Sequence, residues 1–159
     1  MISIQYNAKD EAATAALGTA LAEALPDGAV VALCGTLGAG KTRLVQAVAA
    51  AVGIDRRTVV SPTFVLVQEY HGRRTLYHVD AFRLRDEDEY RQLGPDELYE
   101  SNGIVLIEWA DRVEGELPGE RLQVNIEVTG ATARRFEIEA RGARFEPVVR
   151  RLEELLPSA

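Results

Sequence analysis

The chain has 159 residues, 47% apolar and 27% charged, with a formal net charge of −7. That length fills one domain and is short for two, and the apolar share is ordinary for a soluble globular protein. The acidic balance argues against unaided binding to RNA or DNA phosphates. The absence of a long apolar run argues against a membrane span, and a single cysteine excludes an internal disulfide or a zinc cluster. The opening "MISIQYNAKDEAAT" carries acids where a secretory leader needs bases and then an apolar stretch, so a cytoplasmic location is expected.

In chain order, "SIQY" (3–6) suits a short edge strand. The segment 9–25 places Leu17, Leu21 and Leu25 at helical spacing, with Asn7 or Asp10 available as a cap. "PDG" (26–28) is a turn, and "AVVALC" (29–34) is an apolar strand of the kind covered on both faces in a parallel sheet. The segment 41–53 reads as a helix that Gly53 stops. "TVVSPTF" bends at Pro62, and "FVLVQEY" (64–70) and "TLYHVD" (75–80) form a hairpin around "HGRR". Two short charged helices follow at 85–94 and 95–100, then a second apolar strand, "GIVLIEW" (103–109). Residues 122–140 alternate as a hairpin around Thr129 to Ala133, and 146–156 closes as an amphipathic helix. No repeat or interdomain linker interrupts this order. It predicts one α/β domain, with a central, mostly parallel sheet, antiparallel hairpins and flanking helices.

Between the first apolar strand and its helix lies "GTLGAGKT". Gly35, Gly40, Lys41 and Thr42 satisfy G-x-x-x-x-G-K-[ST], with Gly38 an additional glycine. Glycines let consecutive backbone N–H groups curve around an anion, and the helix beginning at Lys41 aims its positive end at the same point. Lys41 is then placed to reach the β- and γ-phosphates, and the Thr42 hydroxyl to ligate Mg²⁺. By average residue frequencies the pattern arises by chance in a chain this long roughly once in 200, and both flanks are of the required type. Only Lys9 and Lys41 among the eighteen basic residues are lysines, and a slim ammonium suits a backbone cage better than a guanidinium does.

A metal bound with phosphates needs a carboxylate from a neighbouring strand end. Glu108 ends the more apolar strand and is favoured for the Mg²⁺ side; Asp80 then positions the attacking water. The residue pattern alone leaves the two roles exchangeable. His71 reads as a turn residue and His78 as a strand residue rather than as catalysts. Trp109 is either an interior aromatic or a contact at the site mouth. "NAKD" (7–10) is a helix start, since a guanine-reading motif spaces its lysine differently and lies far downstream. "SPTF" (61–64) is either a bend or a loop whose Thr63 senses a γ-phosphate.

The blocks "GTLGAGKTRLVQAVAAAVG", "VVSPTFVLVQEY", "LYHVDAFRL" and "ELYESNGIVLIEWADR" stand in an order and spacing that resemble the bacterial tRNA threonylcarbamoyladenosine biosynthesis ATPase family TsaE, formerly YjeE. The resemblance implies a P-loop NTPase domain using ATP and Mg²⁺. It implies Gly38, Ala39, Gly40, Lys41, Thr42 and Arg43 along the phosphates, Thr42 and Glu108 at the metal, and Asp80 in hydrolysis. It further implies a switch role for Thr63 and base contacts from the N-terminal segment and the far hairpin, for which Asp10, Glu11 and Arg135 are the candidates. The partners it implies are TsaD and TsaB, with tRNA met only indirectly or within the complex. The chain departs from the family pattern at Thr36, where Asp is usual, at Arg43, where Thr is frequent, and at "DAFRL" in place of "DLYRL". Two competing expectations remain. A small-molecule or nucleoside kinase would use the same loop, although 85–100 is too acidic to clamp a phosphorylated acceptor. A nucleotide-dependent interaction module would bind ATP without needing to split it.

Overall fold

The apolar run after "PDG" becomes the strand at the middle of the sheet. The computed structural model describes residues 2–36, 38–60, 67–82 and 84–157. Its strands are β1 (Ser3–Ala8), β2 (Val30–Gly35), β3 (Val67–His71), β4 (Thr75–Asp80), β5 (Ile104–Glu108), β6 (Arg121–Val128) and β7 (Arg134–Arg141). Its α-helices are α1 (Glu11–Ala24), α2 (Lys41–Ala51), α3 (Glu87–Arg91), α4 (Pro95–Tyr99) and α5 (Glu146–Leu155). The described residues form a seven-stranded sheet in the order β1-β7-β6-β2-β5-β4-β3. The four central strands β6, β2, β5 and β4 are parallel. β3 pairs antiparallel with β4, the β6–β7 hairpin adds an antiparallel strand at the other side, and β1 pairs antiparallel with β7 at the edge, giving the expected parallel centre with antiparallel margins. "TVVSPTF" and the first residues of "FVLVQEY" lie partly outside the described residues, as does Thr63.

Two apolar layers explain the strand sequences. On one face, Leu33, Leu76, Leu106, Leu122, Val124, Phe136 and Ile138 pack beneath α1, α2 and α5. On the other, Val30, Ala32, Val79, Val105 and Ile107 pack with Tyr90 of α3, Leu98 and Tyr99 of α4, and Val113 of the 3-10 segment Ala110–Glu116. β5 lies under both layers and is buried at every position, so it reads as an unbroken apolar run. β6 and β7 are packed on one face, so they alternate: Leu122, Val124 and Ile126 point inward while Asn125 and Glu127 do not.

α1 begins at Asp10, whose Oδ1 accepts the Ala13 N–H at 2.9 Å, and so Asp10 rather than Asn7 is the cap. α1 crosses α2 where Gly18 meets Ala47. A Cβ built on Gly18 would come within 2.6 Å of the Ala47 carbonyl carbon, so the helices approach this closely only because the side chain is missing. Alanine at a helix interior gains about 1 kcal/mol over glycine, whereas overpacking costs about 1–3 kcal/mol. The clash is with backbone and should win. Gly18→Ala is expected to lower stability by about 1–2 kcal/mol in urea unfolding; an unchanged or raised midpoint would contradict the close crossing.

Candidate functional site

The loop from β2 to α2 is built by exclusion of side chains. A Cβ on Gly35 would lie 2.8 Å from the Ile126 carbonyl oxygen of the adjoining strand. Gly40, at φ +104, turns the chain into α2 in a conformation that favours glycine and brings no side chain over the helix start. The first turn of α2 therefore opens on bare backbone at its positive end.

Lys41 is the first residue of α2 and is only 4% exposed. Its Nζ donates to the carbonyls of Gly35 (2.7 Å) and Thr36 (2.8 Å) and lies 3.8 Å from the centre of the Trp109 ring. Burial lowers its pKa from the ordinary lysine value, against the opposing pull of Glu108 and Asp111. One residue on, the Thr42 hydroxyl donates to the Glu108 carboxylate, 2.9 Å from Oε1 and 2.7 Å from Oε2. Oε2 also meets Nε2 of His78, which is fully buried. Asp80 stands opposite Glu108 in the β4–β5 register, and its Oδ1 accepts the Phe82 N–H at 2.9 Å. Burial raises the Asp80 carboxyl above the ordinary aspartate value; the Phe82 bond opposes this and the Glu108 charge adds to it.

A hollow of about 390 Å³ opens over these groups, lined by the loop from Gly38 to Arg43 with Gln46, Glu108, Trp109 and Arg134. A smaller one, about 90 Å³, adjoins it and shares Gly40, Arg43 and Arg134; its other walls include Glu11, Thr14 and Thr132. Glu11 and Arg43 form an ion pair across the helix starts. The structure thus brings together Gly38 through Arg43, Glu108 and Glu11. Asp10 is engaged as a helix cap. Arg135 is directed elsewhere, to Glu127 (3.0 Å) and a hollow beside Cys34 and Asn125.

Arg134 and His78 gain a place that the sequence reading did not give them, and Trp109 takes the second of its two readings. Arg134, one residue before the candidate Arg135, donates its Nε to the Ala39 carbonyl at 2.8 Å and its Nη1 to Gly130 and Ala133 at the hairpin tip. Strand alternation was the available signal, because Arg134 shares its face with Phe136, which packs inward. Trp109 lies at the site mouth, over Lys41 and 4.9 Å from the Phe82 ring. His78 shares its face with Asp80, two residues on, and belongs to the polar group rather than to the strand alone. Among the described residues no cluster of three or more His, Cys, Asp or Glu side chains could hold a metal. The pair Thr42 and Glu108 offers only hard oxygen donors. That fits Mg²⁺, which takes one or two protein ligands and completes its shell with phosphate and water. No helix among the described residues is long and apolar enough to cross a membrane.

A mixed sheet with a parallel centre, and a glycine loop feeding a helix at the carboxyl end of β2, define an α/β domain of the P-loop fold class. The model of the family described as "Threonylcarbamoyl adenosine biosynthesis protein TsaE" matches residues 8–136, and the chain belongs to that family. It is 42% identical over 141 residues to a tRNA threonylcarbamoyladenosine biosynthesis protein TsaE of Bacillus subtilis, covering 88% of this chain and 85% of that protein. It is 41% identical over 115 residues to one of Treponema pallidum, covering 72% and 84%. Among solved structures, that of Bacillus subtilis YdiB superposes with a TM-score of 0.81 at 32% identity, covering 96% of this chain and 95% of that one.

The environment of Asp80 has a measurable consequence. A carboxyl whose pKa is raised by folding binds its proton more tightly in the folded state. It therefore penalises the fold once pH rises from the unfolded value through the folded one. Asp80→Asn keeps an acceptor for the Phe82 N–H and removes the buried charge. Its urea midpoint is expected to exceed that of the unaltered protein at pH 7–8, the difference closing below about pH 4. A lower midpoint at neutral pH would contradict this account of the site.

Proposed function

We propose that the chain is a Mg²⁺-dependent ATP hydrolase of the cytoplasm, serving threonylcarbamoylation of adenosine in tRNA together with proteins of the TsaD and TsaB kind. The observation that carries this reading is the meeting of the Thr42 hydroxyl with the Glu108 carboxylate at the foot of the larger hollow, 2.7 Å apart, one residue beyond the buried ammonium of Lys41. An ammonium, a hydroxyl and a strand-end acid beside a bare helix start suit a triphosphate with its metal better than any uncharged ligand.

The backbone from Gly38 to Arg43 holds the phosphates, and Lys41 exchanges the Gly35 and Thr36 carbonyls for phosphate oxygens. Charge-assisted bonds of that kind are stronger than those to neutral carbonyls. Mg²⁺, held through Thr42 and Glu108, supplies charge that offsets the phosphoryl oxygens. Asp80, whose Oδ1 is held by the Phe82 N–H, orients the attacking water with its other oxygen. The nucleoside extends from the larger hollow toward the smaller one, where Glu11, Thr132 and Arg134 stand. The names of the relatives supply the pathway, and the partners complete a site that is slow alone. At a net charge of −7, tRNA is met within the complex rather than by this chain unaided.

Removing the ammonium tests the phosphate assignment. Lys41→Ala should weaken ATP binding by calorimetry about 10- to 100-fold, the value of a charged hydrogen bond or two; undiminished affinity would overturn it. Hydrolysis should be faster with a TsaD–TsaB pair than without, and equal rates would remove the partner from the proposal.

A further inference from the structure

His78 is set where an imidazole has no structural reason to be. On that face of the sheet its neighbours toward the middle of the strands are the fully buried Leu76, Ile104 and Leu106, with Gln68 opposite it on β3 and Asp80 and Glu108 at the strand ends. Its Nε2 meets Oε2 of Glu108, while its Nδ1 has no hydrogen-bond partner among the described residues. Burying a polar ring with one nitrogen unsatisfied carries a desolvation penalty that a leucine at this position would not incur.

We infer that His78 is a positioning residue for Glu108, donating Nε2–H to one carboxylate oxygen so that the other faces the hollow beside Thr42. The inference rests on the reading of Glu108 as the metal-side acid. A carboxylate only accepts, so the proton between the two groups belongs to Nε2. A proton on Nδ1 would be a buried donor with nothing to receive it, the rarer and costlier orphan. A glutamate at a strand end has several rotatable bonds. The imidazole fixes Oε2 from below and the Thr42 hydroxyl touches both oxygens from the α2 side, so the carboxylate plane is held before any ligand arrives. Hydrogen bonds to a metal's ligands are worth about 10- to 100-fold in metal affinity.

Two side chains separate positioning from mere filling. Glutamine places its amide N–H near where Nε2 lies, and asparagine stops short of it. ATP affinity is measured by calorimetry with Mg²⁺ and with EDTA, and thermal unfolding is followed alongside. His78→Asn should lose about 10- to 100-fold of the affinity gained from Mg²⁺, with metal-free binding unchanged, while His78→Gln keeps most of that gain. Equal losses in the two variants, or losses that follow their thermal stability, would overturn the inference. If the unaltered protein gains no affinity from Mg²⁺, the metal reading of Glu108 falls and takes the inference with it. Nitrogen-15 NMR of the unaltered protein provides a reading that needs neither ligand nor variant stability. His71 is the other histidine of the chain, and His71→Gln assigns the signals. His78 should show a slowly exchanging Nε2–H and a bare Nδ1; an Nδ1–H ring would refute the donor role.

Discussion

Two parallel strands that end level with each other fix the chemistry of this domain. β4 and β5 are paired so that Asp80 stands beside Glu108 and His78 beside Leu106, all on the face that α2 covers. Two carboxylates so placed and withdrawn from water repel, and each must find its own support. Glu108 has the Thr42 hydroxyl and the His78 ring; Asp80 has the Phe82 N–H. The ammonium of Lys41 lies within electrostatic reach of both. A slip of one residue in the pairing would turn these side chains to the opposite face, beneath α3 and α4. The apolar run of β5, buried at every position, resists that slip because it pairs with β2 on one side and β4 on the other.

The loop facing these acids keeps its buried cation occupied. Lys41 donates to the carbonyls of Gly35 and Thr36, two groups of the same turn. The cation is therefore neither exposed nor unpaired, and burial has already lowered its pKa. Arg134 ties the β6–β7 hairpin to the same loop through the Ala39 carbonyl, so both hollows share one wall, which runs from β7 to the end of β5.

Much of this was legible in the residues because it rests on local rules. The apolar runs, the glycine spacing and the strand-end acids each follow from a period or a backbone requirement a few residues long. The β6–β7 hairpin was equally plain, since one packed face forces alternation. What escaped depends on residues brought together from afar. Arg134 and Arg135 are chemically identical, and only the inward direction of Phe136 separates them. His78 looks like an ordinary strand residue until β5 is laid alongside it. Asn7 and Asp10 were both available as the cap, and the Ala13 N–H decides for Asp10.

Trp109 shows how the strand end and the loop constrain each other. It is the one non-glycine residue among those described with a left-handed backbone, at φ 59. For a bulky side chain that conformation costs about 1–3 kcal/mol and persists only where the surroundings demand it. The demand is geometric. β5 must run straight to Glu108 to meet Thr42, and the chain must then turn at once into the 3-10 segment that carries Ala110 and Val113 into the second core. Turning at Trp109 lays the indole over the Lys41 ammonium on one side and near Phe82 on the other. A glycine would make the turn without strain but would leave the ammonium open to water on that side. The strained turn and the sheltered cation are therefore one feature, set by where β5 has to stop.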